Sequence, residues 1–190
     1  MANDQVDQLA LALSQAKRVI ASVTSEQLGA STPCDQWDVR TLISHMIGGT
    51  SMFSVITRGE ALPENQEETD YTVGDYVGAF DEAEISLLAA WSDPDVWSRE
   101  IHFPFSALPA EIAVNVQMME IATHTWDLAR ATGQVSSLDD GLAAQMAAFA
   151  AAMIPAEARS DSGAAFKAVV PVAETASPWD HLAGATGRTP

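Results

Sequence analysis

Along most of the chain, apolar residues return every three or four positions. This spacing places apolar side chains on one face of an α-helix, which can then be buried against other helices. In the third predicted helix, we expect Tyr76, Phe80, Ile85 and Leu88 to face inward. The pattern predicts five helices, over residues 4–23, 39–57, 72 or 75 to 91, 109–132 and 137–153, and a last short helix over 178–185.

The residues at the ends of these segments support the predicted boundaries. Asp38 can cap the second helix, because its carboxylate accepts from the free N–H groups of a first turn. The fourth helix has Pro109 in its first turn and Gly133 after its end, both common at those positions. Four long helices favour an all-α fold, a four-helix bundle.

The segments between the helices complete the predicted architecture. Residues 59–71 are acidic and contain Pro63, which is typical of an exposed loop. Residues 96–105 alternate weakly between apolar and polar, as in a short strand or an extended crossover. A chain of this length fits one domain, so we predict a single helical domain over residues 1–190 with a long crossover and a short C-terminal extension.

Charge and cysteine content narrow the class of protein. The chain has 9 Lys and Arg against 26 Asp and Glu, a net charge of −17. This argues against partners such as nucleic acid or an anionic membrane surface, since both require cationic side chains. The single cysteine, Cys34, excludes an intramolecular disulfide framework and fits a reducing compartment. The N-terminus lacks the basic start of a signal peptide, so we expect a cytoplasmic protein.

Two residues of the fourth helix have the spacing of a cation-binding pair. Glu120 and His124 are four positions apart, which places both side chains on one helix face. A carboxylate and an imidazole in this arrangement can hold one metal ion, and such pairs build metal sites inside bundles. The alternative is a solvated hydrogen bond between the two side chains.

A third candidate ligand lies in the second helix. His45 lies within an apolar segment and is followed by Gly48 and Gly49, which leave open space beside it. The glycines either line a substrate pocket or allow close helix packing around a hydrogen-bonded core histidine. Together, His45, Glu120 and His124 offer two imidazoles and one carboxylate, a ligand set that suits catalytic zinc.

Other candidate residues have simpler explanations. Asp127 follows His124 on the same face, where it is a fourth ligand, an outer partner of the ligands, or one half of a buried salt bridge. We expect the salt bridge, with Arg40 as the candidate partner. Cys34 favours a small buried apolar role beside Pro33 rather than a nucleophilic one, because neighbouring carboxylates would raise its pKa.

Three stretches of the sequence resemble one known family. The first is Thr32-Pro-Cys-Asp-Gln-Trp-Asp-Val-Arg40 with the following His45, and the second runs from Glu120 through His124-Thr-Trp-Asp to Gly133. The third is the ending His181-Leu-Ala-Gly-Ala-Thr-Gly-Arg-Thr-Pro190. Together they resemble the mycothiol-dependent maleylpyruvate isomerase-like proteins, in their short actinobacterial form, which belong to the DinB-like metal-dependent bundles.

The resemblance implies a DinB-like four-helix bundle that holds a divalent metal, usually zinc. Matched residue by residue, the ligands are His45, Glu120 and His124. It also implies mycothiol as cosubstrate, a zinc-bound thiolate that attacks a small-molecule electrophile, and a possible homodimer. The chain lacks the extra C-terminal domain of the two-domain isomerase, which favours a thiol S-transferase. A non-catalytic metal-binding bundle, a zinc hydrolase and a thiol-dependent isomerase stay open as alternatives.

Overall fold

A computed structural model describes residues 2–35, 37–62, 69–160 and 166–190. Within these ranges it has six α-helices, which we label α1 (Ala2–Ala21), α2 (Val39–Thr57), α3 (Tyr76–Trp91), α4 (Ala110–Thr132), α5 (Asp140–Met153) and α6 (Pro178–Ala185). Two short strands, β1 (Glu100–His102) and β2 (Ala107–Pro109), form an antiparallel hairpin. None of the described helices is both long enough and apolar enough to cross a membrane.

Four of the helices form a bundle with one hydrophobic core. Helices α1 and α2 each pack against both α3 and α4, so α1 lies diagonally opposite α2. The most buried of the four is α4, in which every residue from 121 to 129 is buried. Helix α5 packs on α4 and on α6, which forms the C-terminal extension. The predicted all-α helical bundle is confirmed.

Two connections of the bundle link diagonally opposite helices. Residues 22–38 lead from α1 to α2, and residues 92–109 lead from α3 to α4. The second connection is the predicted crossover, and it contains the β1–β2 hairpin, in which Ile101 lies opposite Leu108. The sequence pattern indicated the first strand only, because the alternating segment ends at residue 105 and Pro109, the last residue of β2, was assigned to the start of the fourth helix.

Helix boundaries follow the capping residues. The carboxylate of Asp38 accepts a hydrogen bond from the backbone N–H of Thr41 at 2.8 Å, as predicted for the start of α2. Asp75 caps α3 in the same way through the N–H of Gly78 at 2.9 Å. Gly133 has a φ of 76°, the left-handed conformation that ends a helix and that glycine adopts without strain.

Two predictions about the helices are wrong. Ile85 is 62% exposed rather than inward-facing, because it lies about 160° around the helix from the buried Leu87. Helix α5 begins at Asp140 and not at residue 137, since Val135–Ser137 forms a separate 3-10 turn. Part of the predicted acidic loop, residues 63–68, lies outside the described residues.

A buried polar contact joins three helices of the bundle. The indole N–H of Trp91 in α3 donates to Gln117 Oε1 in α4 at 2.7 Å. Gln117 Nε2 in turn donates to Thr57 Oγ1 in α2 at 3.0 Å. All three residues are fully buried. Because water cannot replace a lost partner there, this network fixes the mutual orientation of the helices.

We expect Gln117→Ala to lower the free energy of unfolding by about 3 kcal/mol, because it leaves a cavity and two unpaired buried groups. Chemical denaturation measures the change. The matched control is Asn115→Ala on the same helix. The Asn115 side chain is half-buried and donates to the carbonyl of Glu111, one turn away on its own helix, at 2.7 Å. If both variants lose the same stability, the network does not orient the helices.

Candidate metal centre

Helices α2 and α4 bring three predicted ligands together. His45 Nε2 in α2 lies 3.3 Å from Glu120 Oε1 in α4. His124 Nε2 lies 3.0 Å from the same carboxylate oxygen. One ligand atom from each residue therefore lies within 4.8 Å of the other two. The i,i+4 spacing on α4 and the contact between α2 and α4 account for this arrangement.

The cluster is open on one side and closed on the other. The His124 side chain is buried, whereas 36% of His45 and 33% of Glu120 is exposed. Beside the three side chains is a cavity of about 10 Å³, which is the space of about one water molecule or small ion. The rest of its lining is largely apolar and comprises Met46, Gly49, Thr50, Phe53, Phe80 and Ile121.

The two glycines of α2 differ in their surroundings. A Cβ atom at Gly49 would meet no atom within 4 Å, so there is open space at the cavity. A Cβ atom at Gly48 would meet the ring of Tyr71 at 4.0 Å. Gly49 therefore matches the predicted pocket lining, while Gly48 faces the Tyr71 ring.

Trp37 forms one wall of the cluster. Its ring centroid is 4.3 Å from that of His45 and 5.6 Å from that of His124. The loop that carries it is held by Thr32, whose hydroxyl donates to the carbonyl of Trp37 at 2.8 Å. Trp37 lies in the sequence motif before α2, but its residue type and spacing did not predict a role at the site. Its large, half-buried ring limits the access of water to His45.

The second nitrogen of His124 faces a buried ion pair. His124 Nδ1 lies 3.0 Å from Asp127 Oδ2, and the Asp127 side chain is fully buried. Arg188, in the chain after α6, donates to the same oxygen from Nη2 at 3.0 Å. The predicted buried salt bridge between Asp127 and an arginine is confirmed, but that arginine is Arg188.

The prediction that Arg40 pairs with Asp127 is wrong. Arg40 donates to Asp70 Oδ2 at 3.2 Å and to Thr72 Oγ1 at 2.6 Å. It precedes His45 by five residues on α2, which places it about 140° around the helix. Its side chain therefore leaves the bundle on a different side from the cluster.

The structure also corrects the apolar role predicted for Cys34. Its thiol donates to Asp127 Oδ2 at 3.1 Å and accepts from Arg188 Nη2 at 3.5 Å. Its sulfur is 3.9 Å from His124 Nδ1. Cys34, His124 and Asp127 therefore form a second group with potential ligand atoms, on the side of the imidazole opposite the first group.

The charges of the cluster shift the pKa values of its members. Burial raises the pKa of Glu120, but the positive charge of His124 and the hydrogen bonds from both imidazoles hold it well below its usual range. Burial lowers the pKa of His124, but Glu120 and Asp127 raise it well above 6.5. His124 therefore carries a positive charge between the carboxylates of Glu120 and Asp127.

The chain is similar to one known protein family over the region that contains the cluster. Residues 9–129, which include all three predicted ligands, match the model described as the mycothiol maleylpyruvate isomerase N-terminal domain. The chain belongs to this family. The match ends before Arg188, so the partner of Asp127 lies outside the part that the family model covers.

Individual relatives extend the similarity over more of the chain. Two uncharacterized proteins of Mycobacterium tuberculosis, one from strain CDC 1551 / Oshkosh and one from strain H37Rv, are each 33% identical to this chain over 172 residues. The alignment covers 90% of this chain and 90% of each relative. No solved structure matches the chain significantly.

The pKa of His124 predicts how the stability of the metal-free protein depends on pH. Because folding raises this pKa, the ion pairs of His124 contribute fully below about pH 6.5 and are lost as the pH rises through the raised value. With a chelator present, the stability advantage of wild type over His124→Asn should shrink as the pH rises above about 6.5 and through the raised pKa of His124. Thermal unfolding measures it, with the exposed His102→Asn as control. If the difference in unfolding temperature between wild type and His124→Asn does not change with pH, the pKa of His124 is not raised by folding.

Proposed function

We propose that the chain is a zinc-dependent S-transferase that uses mycothiol, a low-molecular-weight thiol, as cosubstrate. Membership of a family described by mycothiol supports the choice of thiol. The observation that carries the proposal is the convergence of His45 Nε2, Glu120 Oε1 and His124 Nε2 within 4.8 Å at a partly exposed site.

The donor atoms fit zinc in both type and number. Two imidazole nitrogens and one carboxylate oxygen are a ligand set of catalytic zinc sites, in which the fourth position is left for a water or a substrate. Calcium and magnesium favour sites made of oxygen atoms, so the two imidazoles argue against both. The apolar lining of the cavity leaves the three side chains as its main polar groups.

The chain's own residues orient the ligands and shape the access to them. With its proton on Nδ1, bonded to Asp127, His124 directs the lone pair of Nε2 towards Glu120. Trp37 covers His45, and the exposed edge formed by His45 and Glu120 is where substrates enter. A zinc ion held by these ligands would lower the pKa of a thiol, so that the nucleophilic thiolate is available at neutral pH.

The reaction requires no nucleophile from the protein. The cosubstrate sulfur forms a bond to an electrophilic carbon, the leaving group departs with the electron pair of the broken bond, and the thiol proton passes to water. Cys34 lies on the Nδ1 side of His124 and donates to Asp127, away from the Nε2 atoms of the predicted ligands. The attacking sulfur is therefore that of the cosubstrate.

The ligand assignment predicts the metal content of variants. Wild-type protein should hold about one divalent ion per chain, and His45→Ala and His124→Ala should each lose it, because two remaining ligands are too few. Thiol transfer from mycothiol to an electrophilic bimane should fall by roughly 100-fold or more. Elemental analysis and fluorescence measure the two quantities, and the exposed His102→Ala should change neither.

These two measurements, together with an assay for ester and amide hydrolysis, separate the alternatives. Wild-type protein without metal, or full metal content in both variants, contradicts the proposed centre. A metal-loaded protein that hydrolyses esters or amides but transfers no thiol is a zinc hydrolase. A loaded protein with neither activity is a non-catalytic metal-binding bundle.

The open space at Gly49 predicts a separation of metal binding from activity. Gly49→Leu should keep the metal, since no ligand changes, but block thiol transfer because the side chain fills the cavity beside His45. Gly49→Ala is the matched control; it should stay active and gain up to about 1 kcal/mol of stability, because alanine favours a helix over glycine. Metal content, melting temperature and thiol transfer are measured on both.

The outcome for Gly49→Leu locates the pocket. A stable, metal-loaded and fully active variant places substrate binding elsewhere on the cluster. A variant that loses stability and activity together shows instead that the glycine serves close helix packing.

A further inference from the structure

We propose that Arg188 is a positioning residue for the metal ligand His124 and acts through Asp127. The C-terminal segment, residues 166–190, is on this account part of the metal centre. The inference rests on the proposed metal site, which it extends to residues outside the matched family region.

Arg188 holds the Asp127 carboxylate by both oxygens. Its Nε lies 3.3 Å from Oδ1 and 3.3 Å from Oδ2, and its Nη2 lies 3.0 Å from Oδ2. The guanidinium is itself fixed, because Nη1 donates to the carbonyl of Thr186 at 3.0 Å. The rigid fork of an arginine prevents a carboxylate from rotating, which the single point charge of a lysine does not.

The fixed carboxylate determines the state of His124. Asp127 Oδ2 lies 3.0 Å from His124 Nδ1, so Nδ1 keeps its proton when the imidazole is neutral and binds a metal ion. Nε2 lies 3.0 Å from Glu120 Oε1, and a metal ion held by Glu120 and His45 would take the place of the proton between these two atoms. A carboxylate that accepts from the outer nitrogen of a ligating histidine sets its tautomer and ring orientation, and removal of such partners weakens metal binding 10- to 100-fold.

The C-terminal segment that carries Arg188 is held beside the cluster by contacts at Lys167 and Gly187. Lys167 pairs with Asp35 in the loop that also carries Trp37. Gly187 has a φ of 83°, and a Cβ atom there would lie 2.8 Å from the backbone nitrogen of Lys167. Gly187, the residue before Arg188, therefore packs directly against Lys167, and Lys167 contacts the loop that carries Asp35 and Trp37. Helix α6 itself packs on α4, and this packing places Arg188, three residues after α6, beside Asp127.

The alternative is that Arg188 only neutralises a buried charge. In that case Arg188→Lys would serve almost as well as arginine, and any loss of metal affinity would follow the loss of stability. The positioning role instead predicts that geometry, and not charge alone, determines metal affinity.

The test is the zinc affinity of purified protein, measured by competition with a chromophoric chelator. Arg188→Ala should bind zinc about tenfold more weakly than wild type, or weaker still. Arg188→Lys, which keeps the charge and preserves a folded protein, should still bind severalfold more weakly. The control is Arg18→Ala, since Arg18 is exposed and bonds to Ser14 on its own helix at 3.2 Å; its affinity should be unchanged.

A second readout distinguishes positioning from stability. In long-range ¹H–¹⁵N spectra of zinc-loaded wild type, His124 should show one tautomer, protonated at Nδ1, and the Arg188 variants should show altered His124 signals well below their melting temperatures. Wild-type affinity in both Arg188 variants, or a weakened affinity with unchanged His124 signals, overturns the inference while the metal centre stands. Wild-type protein that binds no zinc overturns both the inference and the proposed function.

Discussion

The structure around the cluster depends on the neutralisation of one buried carboxylate. Asp127 is fully buried in α4, and an unpaired charge there would cost several kcal/mol. Its partners come from three parts of the chain: His124 from its own helix, Arg188 from the C-terminal segment and Cys34 from the loop before α2. The pairing of the Asp127 charge therefore joins the helical bundle to the C-terminal segment and to the loop before α2.

His124 separates the structural side of the cluster from its chemical side. Nδ1 faces the buried Asp127, and Nε2 faces Glu120 at the exposed edge near His45. A neutral imidazole can carry its proton towards the first and offer a lone pair towards the second. The fold thus buries the groups that fix the ring and leaves open the groups that we propose bind metal and substrate.

Local spacing explains how much of this could be predicted from the sequence. The i,i+4 relation of Glu120 and His124 follows from helix geometry. The apolar surroundings of His45 and the two glycines after it indicated the third ligand, and the resemblance matched all three residues to one ligand set. Helix spacing cannot select a partner 61 residues away, so Arg188 was missed and Arg40 was chosen instead. The five-residue separation of Arg40 from His45 was the signal against that choice. The polar contacts of Cys34 were missed for the same reason, because Asp127 and Arg188 lie 93 and 154 residues away in the sequence.

The most direct test of the proposed centre is X-ray absorption at the zinc edge, on protein loaded with one equivalent of zinc and free of added thiol. The account predicts nitrogen and oxygen ligands at about 2.0–2.1 Å, from His45, Glu120 and His124, and no sulfur ligand. A sulfur ligand at about 2.3 Å would contradict it. That result would place the ion at the alternative group, formed by Cys34, His124 and Asp127.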